Sequence, residues 1–126
     1  LPQIECFPGQ LNQVFMNILA NAIDALDESN TGCSFEEIKA SPNCITITTS
    51  VENSLVKIAI ADNGKGMSEQ VKSKIFDHLF TTKAVGKGTG LGLAIARQIV
   101  EETHGGKLSF NSVLGEGTEF IIEIPL

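Results

Sequence analysis

The sequence predicts an α+β sandwich, with one mostly antiparallel sheet and its helices packed on one face. Three observations carry that prediction. A long stretch near the start repeats apolar residues at helical spacing. Two pairs of short, β-branched segments are each joined by a few turn-forming residues, and further helical segments fall between those pairs.

Taken in chain order, residues 3–7 alternate and read as an edge strand that stops at Pro8-Gly9. Leu11, Val14, Phe15, Ile18, Leu19, Ala22, Ile23 and Leu26 then recur at i, i+3, i+4, i+7 and mark a helix with a buried stripe. Residues 27–43 are polar, hold Gly32 and Pro42, and read as a surface loop with one helical turn around 35–39. Residues 45–50 and 55–62 make the first strand pair, with 50–54 connecting them; Val56, Ile58 and Ile60 share one face and Lys57 takes the other. Ser68 followed by Glu69 is a helix start, and that helix is expected to run to about Phe76. Residues 81–90 are glycine-rich without a hydrophobic period and read as a mobile loop. Helix resumes over 91–103, with Leu91, Ile95 and Ile99 at four-residue spacing, and His104-Gly105-Gly106 stops it. Residues 107–112 and 118–124 form the last strand pair, joined through Leu114-Gly115-Glu116-Gly117.

A chain of 126 residues fits one domain with one core. Apolar residues at 42% and charged residues at 19% are globular values. No apolar run approaches the ~20 residues needed to span a bilayer, so direct membrane contact is not expected of this segment. The start at Leu1 rather than Met suggests a piece of a longer protein, soluble and free of its neighbouring domains. A net charge of -6 argues against nucleic-acid binding. It is compatible with a nucleotide polyanion only if backbone N–H groups and a metal ion meet the phosphates. Cys6, Cys33 and Cys44 form no CxxC and no zinc spacing, and are expected as small buried or half-buried residues in a reducing cytosol.

Chemistry-bearing residues gather in a few segments. On the long helix, Asn17, Asn21 and Asp24 fall within roughly 60° of one another at about 100° per residue, forming one polar line. An asparagine carbonyl is a neutral oxygen ligand suited to magnesium, though any amphipathic helix also has a solvated face. Asp62-Asn63-Gly64-Lys65-Gly66 follows a strand directly. Its glycines permit positive φ and close backbone approach, and a carboxylate there can accept from an exocyclic amine such as adenine's; a plain tight turn reads the same locally. Gly86, Gly88, Gly90 and Gly92 stand at every second position and run into an apolar helix. They suit a lid whose amides and helix start wrap phosphates, the competing reading being a flexible linker. Neither a P-loop nor a dinucleotide fingerprint is present. Phe76 and Phe80, four apart, anchor the base of that lid, and Thr81, Thr82 and Lys83 are within reach of a γ-phosphate, Lys83 foremost.

Together these segments resemble the catalytic, ATP-binding domain of sensor histidine kinases, within the superfamily of gyrase, heat-shock chaperone and MutL-type ATPases. NILANAIDAL resembles the N box, DNGKGM the first glycine box, IFDHLFTTK the F box, GKGTGLGLAI the second glycine box and GEGTEF a third glycine segment. The resemblance covers nearly the whole chain and implies a Bergerat-type, two-layer α/β sandwich with a mixed, mostly antiparallel sheet. It implies ATP and Mg2+ as cofactors. Asn21 would hold the metal with Asn17 assisting, Asp62 would read the adenine amine, and Gly64 and Gly66 would admit the base. Gly86, Gly88, Gly90 and Gly92 would form the lid and the phosphate-binding helix start. Asp24, Met67, Phe80, Thr81, Thr82, Lys87, Thr89, Leu91 and Thr118 would complete the nucleotide site, with Asn17, Asn21 and Lys83 serving transfer. Two departures stand out: Lys65 replaces the family's usual proline, and His78-Leu79 a common Pro-Phe pair.

Hydrolases of the superfamily carry a glutamate four residues before the metal-binding asparagine, and here that position is Asn17. An amide has no basic site at neutral pH, which favours phosphoryl transfer over hydrolysis. The implied acceptor is a histidine on a separate dimerisation and phosphoacceptor domain of the same kinase, with a response-regulator receiver domain served indirectly. His78, in the F box, and His104, at a helix end where a cation would complement the dipole, both lack the acceptor's helical context beside a carboxylate. The 126 residues are therefore expected to be a single catalytic domain, cytoplasmic, in a parent either anchored in a membrane or free, and unable to autophosphorylate alone. A hydrolysing ATPase of this superfamily, an anti-sigma-type serine kinase and a non-catalytic binding module stay open beside it.

Overall fold

The computed structural model describes residues 6–29, 43–76 and 92–126, with the backbone alone for 27–29. Helix α1 spans Pro8–Ser29. Its first intrahelical bond runs from Leu11 N–H to Phe7 O at 3.0 Å, so Pro8 occupies the first helical position. Proline fits there because its missing N–H would have no helical partner and its φ is already helical. Pro8-Gly9 thus opens the helix, three residues before the first position of the apolar stripe. Cys6 and Phe7 carry no strand structure, and the rest of the expected strand lies outside the described residues. The helix also continues through 27–29, which the polar composition had assigned to a loop; the remainder of that loop to residue 42 lies outside the described residues.

Strands β1 (Ile45–Glu52) and β2 (Leu55–Asp62) form a hairpin in which Asn53 and Ser54 have φ of 52° and 62°. Two successive left-handed residues make the tight turn whose twist matches paired strands, so the connection is shorter than the expected 50–54. Helix α2 is a single turn, Glu69–Lys72, capped by Ser68, whose Oγ accepts from Val71 N–H at 3.3 Å. It ends earlier than expected, and residues 73–76 continue as turns. Helix α3 (Gly92–Gln98) runs into a π-helical turn, Ile99–Thr103, before β3 (Lys107–Val113) and β4 (Gly117–Pro125). The widened turn has a local cause. Ile99 O accepts both His104 N–H, at 3.2 Å, and the His104 ring at Nδ1, at 2.9 Å. His104 Nε2 accepts Phe7 N–H at 3.0 Å. Through the two nitrogens of its ring His104 thus bridges two backbone segments, the end of the helix and the residue before α1.

Sheet order is β1-β2-β4-β3, and every pairing among the described residues is antiparallel, with no parallel partner of the kind a mixed sheet requires. Facing partners share a side of a pleated sheet. Val56, Ile60, Phe120, Ile122, Ile124 and Leu108 accordingly point together toward the helices and are buried. From α1 they meet Leu11, Val14 and Ile18, and from α3 Ala96, beside Ile99 and Val100. Each fully buried aliphatic side chain of this kind gains about 1.5–3 kcal/mol over exposure. The small, fully buried Ala96 sits in that core where α3 runs beside α1. Ile23, counted in the helical stripe, is exposed at its margin. Cys6 packs half-buried against the core; Cys44 is exposed, against expectation, just ahead of β1, which lies at the edge of the sheet among the described residues.

Candidate nucleotide site

At one end of the sheet a single cross-strand row reads Ser112, Thr118, Asp62, Ile45, all facing the helix layer. Asp62 closes β2, and its Oδ1 accepts Gly64 N–H at 2.8 Å. Burial pushes the Asp62 carboxyl above the usual carboxylate range, while hydrogen bonds from the backbone N–H groups of Gly64 and Thr118 pull it part of the way back.

The turn after Asp62 is held from three sides. Asn63 and Cys44 exchange bonds, Cys44 N–H to Asn63 Oδ1 at 2.8 Å and Asn63 N–H to Cys44 O at 3.3 Å. Lys65 O accepts Gly115 N–H at 2.7 Å, tying the turn to the β3–β4 connection. Met67 N–H donates to Ser112 Oγ at 2.8 Å. Two glycines are required. A Cβ on Gly64 would stand 2.9 Å from the carbonyl carbon and oxygen of Ala25 and from Asp62 Oδ1, so the loop touches α1 backbone to backbone. Gly66 has φ of 68°, and a Cβ there would overlap the Val113 carbonyl oxygen.

Along α1, Asn17 Nδ2 donates to Gly92 O at 3.1 Å, fastening the helix to the first residue of α3. Asn21 and Asp24 follow on the same line, both half-buried. Among the described residues no group of three or more His, Cys, Asp or Glu gathers for a metal. A magnesium ion still suits this donor set, because a hard cation that shares its coordination with phosphates and water needs few protein oxygens, and an amide carbonyl is one.

Of the residues singled out from sequence, the fold brings Asp62, Gly64, Gly66, Met67 and Thr118 into one cluster, and Asn17 and Gly92 into direct contact. Asn21 and Asp24 lie on α1 between those two places. Phe80, Thr81, Thr82, Lys83, Gly86, Lys87, Gly88, Thr89, Gly90 and Leu91 lie outside the described residues, as do His78 and Cys33. Phe76, at the expected lid base, packs edge-on against Phe110, with centroids 5.9 Å apart, and carries the Arg97 guanidinium 5.0 Å over its ring. Sequence reasoning missed Ala25, whose backbone is the floor under Gly64, and Ser112. The period-2 alternation of Leu108, Phe110 and Ser112 held a signal for the second, a hydroxyl at an inward position.

A carboxylate at a strand end, two backbone-tight glycines beneath it and a helix carrying an amide line are the arrangement the resemblance to an ATPase-type nucleotide-binding domain led one to expect. The chain belongs to the family described as histidine kinase-, DNA gyrase B- and HSP90-like ATPase, whose match covers residues 7–126. Among curated relatives, sensor histidine kinase ZraS of Escherichia coli O157:H7 is 37% identical over 126 residues, which is all of this chain and 24% of ZraS. Sporulation kinase E of Bacillus subtilis (strain 168) is 38% identical over 126 residues, all of this chain and 15% of that protein. The chain thus spans a quarter or less of those relatives. Among solved structures, the nucleotide-free catalytic domain of histidine kinase ThkA superposes with TM-score 0.74 at 37% identity, covering 97% of this chain and 70% of that one. Full-length ShkA in complex with AMPPNP gives 0.77 at 28% identity, covering 99% of this chain and 23% of that one.

Proposed function

We propose that the chain binds ATP with magnesium and passes the γ-phosphoryl group to a histidine on a separate dimerisation and phosphoacceptor domain of a two-component sensor kinase. The observation that carries this reading is the double fastening of α1. The adenine-reading turn touches it at Ala25, and the start of α3 touches it at Asn17, eight residues earlier. At 1.5 Å per residue that is roughly 12 Å, a span suited to a base at one end and phosphates at the other. The AMPPNP held by the related ShkA supports the same ligand class.

In this reading the Asp62 carboxylate accepts from the adenine amine, with Gly64, Gly66, Met67 and Thr118 around the base. Asn21 is the residue to hold magnesium, with Asp24 beside it; when bound, the ion would neutralise phosphate oxygens during transfer. The glycine segment ending at Gly92, with Lys87, Thr89 and Leu91, wraps the phosphates; Phe80, Thr81, Thr82 and Lys83 serve the γ-phosphate end. Asn17 holds α3 through its Nδ2, which leaves Oδ1 as its acceptor. As an amide it does not deprotonate water, so the chemistry is transfer: the bond to the β-phosphate breaks as the bond to the imidazole nitrogen forms, and ADP leaves. The whole chain is one catalytic domain here, with the acceptor and its receiver-domain client elsewhere. Because ATP is cytoplasmic, the reading puts the domain there. No helix among the described residues is long and apolar enough to cross a membrane.

Titration calorimetry with a non-hydrolysable ATP analogue tests the reading. Binding is expected with magnesium, weaker without it, absent for the GTP analogue and lost in Asp62→Asn. A wild-type chain that binds no nucleotide with magnesium present would overturn it.

A further inference from the structure

Ser112 belongs to none of the glycine or asparagine segments, yet its side chain is the hub of the base-reading end. It is buried, as is Thr118, and its Oγ meets three partners. Met67 N–H lies 2.8 Å away, Gly117 O 3.1 Å and Thr118 Oγ1 2.8 Å. A hydroxyl has one hydrogen and two lone pairs. Met67 N–H takes one lone pair. Gly117 O is a pure acceptor, so that contact uses the Ser112 hydrogen. The remaining contact is then satisfied in one way: Thr118 O–H donates into the second lone pair of Ser112. Any other assignment leaves two acceptors facing each other in a buried setting, which costs free energy.

The consequence falls on the neighbouring strand. Thr118 stands directly opposite Asp62, where facing Cβ atoms lie about 4.5–5.5 Å apart. With its hydrogen turned toward Ser112, the Thr118 oxygen shows only lone pairs beside a carboxylate that also only accepts. We infer that Ser112 is a positioning residue for base selectivity: it orients the Thr118 hydroxyl so that the side chains of Thr118 and Asp62 together present only acceptors. Such a pair favours a purine edge bearing an amine and disfavours one bearing a carbonyl oxygen, as in hypoxanthine or guanine. Without Ser112 the Thr118 hydroxyl is free to rotate and donate to that carbonyl. The inference rests on the ATP reading above.

The test is the ratio of dissociation constants for ITP and ATP, each with magnesium, on the 126-residue chain. In Ser112→Ala the preference for ATP should fall about fivefold, the worth of one net hydrogen bond. A merely structural role would weaken both nucleotides together and leave the ratio unmoved. Thr118→Val, near-isosteric, supplies an independent sign. Removing an oxygen that only accepts costs ATP more than ITP, so the ratio should fall. A rise would mean the hydroxyl had been donating toward the base, and would overturn the inference. In the Thr118→Val background, Ser112→Ala should change the ratio no further. If the wild-type chain binds ATP and the ratio stays put in either single variant, selectivity lies elsewhere and this inference alone fails. Should the wild-type chain bind neither nucleotide, the ATP reading fails and takes this one with it.

Discussion

Helix α1 meets a glycine at each end of its polar line, Gly64 at one and Gly92 at the other, and the two contacts are built differently. At Ala25 the contact is backbone against backbone: Gly64 leaves no room for a Cβ, and Gly66 two residues on needs a left-handed φ of 68°. At Asn17 the contact is side chain to backbone. A Cβ on Gly92 would lie 3.6 Å from Asn17 Cγ, an ordinary van der Waals distance, and Gly92 is not left-handed. The same residue type therefore serves two ends for separate reasons. Near Asp62, glycine is demanded by the packed fold; at Gly92 the described structure demands nothing of it. The Asp62 end is a stiff mould, stitched to α1, to Cys44 before β1 and to the β3–β4 turn, while at the Gly92 end the side-chain bond to α1 among the described residues is the Asn17 amide at 3.1 Å.

The largest effect should come from Gly66→Ala, where a left-handed alanine and an overlap with the Val113 carbonyl together cost about 3 kcal/mol of unfolding free energy. Gly64→Ala should follow at about 1–3 kcal/mol, since backbone atoms must give way on α1. Urea denaturation measures both, and wild-type stability in either variant would dissolve the contrast between the two ends.

Asp62→Asn separates function from stability within the stiff end. Burial raises the folded protonation point of Asp62 above its unfolded value. Stability from protonation is then fully present below the ordinary aspartate value and lost as pH rises through the folded one, so at neutral pH the ionised carboxylate is a net cost. The asparagine variant should lose ATP binding yet be no less stable than wild type at pH 7, with its relative standing declining toward acid as wild-type Asp62 takes up its proton. Thermal melts across that range check the sign; a variant clearly less stable at pH 7 would mean the carboxylate is a structural anchor.

Smallest of all is Gly92→Ala, expected to be neutral or to gain about 0.5 kcal/mol, because it trims the freedom of the unfolded chain without a clash. A loss of about a kilocalorie or more would show the Gly92 end to be moulded as tightly as the other.

How much of this was legible beforehand depended on the range of the interaction. Ser68 capping α2 and the alternation of Val56, Ile58 and Ile60 are local and were read correctly, because a cap and a pleat involve residues a few positions apart. The helix start at Pro8 was not seen because proline both ends strands and begins helices; what decides is the Phe7 carbonyl accepting Leu11 N–H. The π-helical turn escaped notice because it depends on a His104 ring that spans from Ile99 to Phe7, 97 positions away. Within the site, Asp62, its glycines and the asparagine line stood out as unusual residue types. Ser112 did not, since one serine in a strand is ordinary until Met67 and Thr118 arrive beside it.

By itself, the sequence determined the α+β class, the amphipathic α1 and the hairpins, which follow from short-range periodicity and composition, while its asparagine and glycine motifs carried the resemblance to the family. Tertiary structure alone decided that Gly64 lies on the Ala25 carbonyl, that Asn17 holds Gly92, and that Ser112, Thr118 and Asp62 form one row. Those contacts join residues 39 to 75 positions apart or lie across strands whose register is set only when the sheet closes. No local pattern encodes which carbonyl will meet which glycine; the packing of α1 on the finished sheet does.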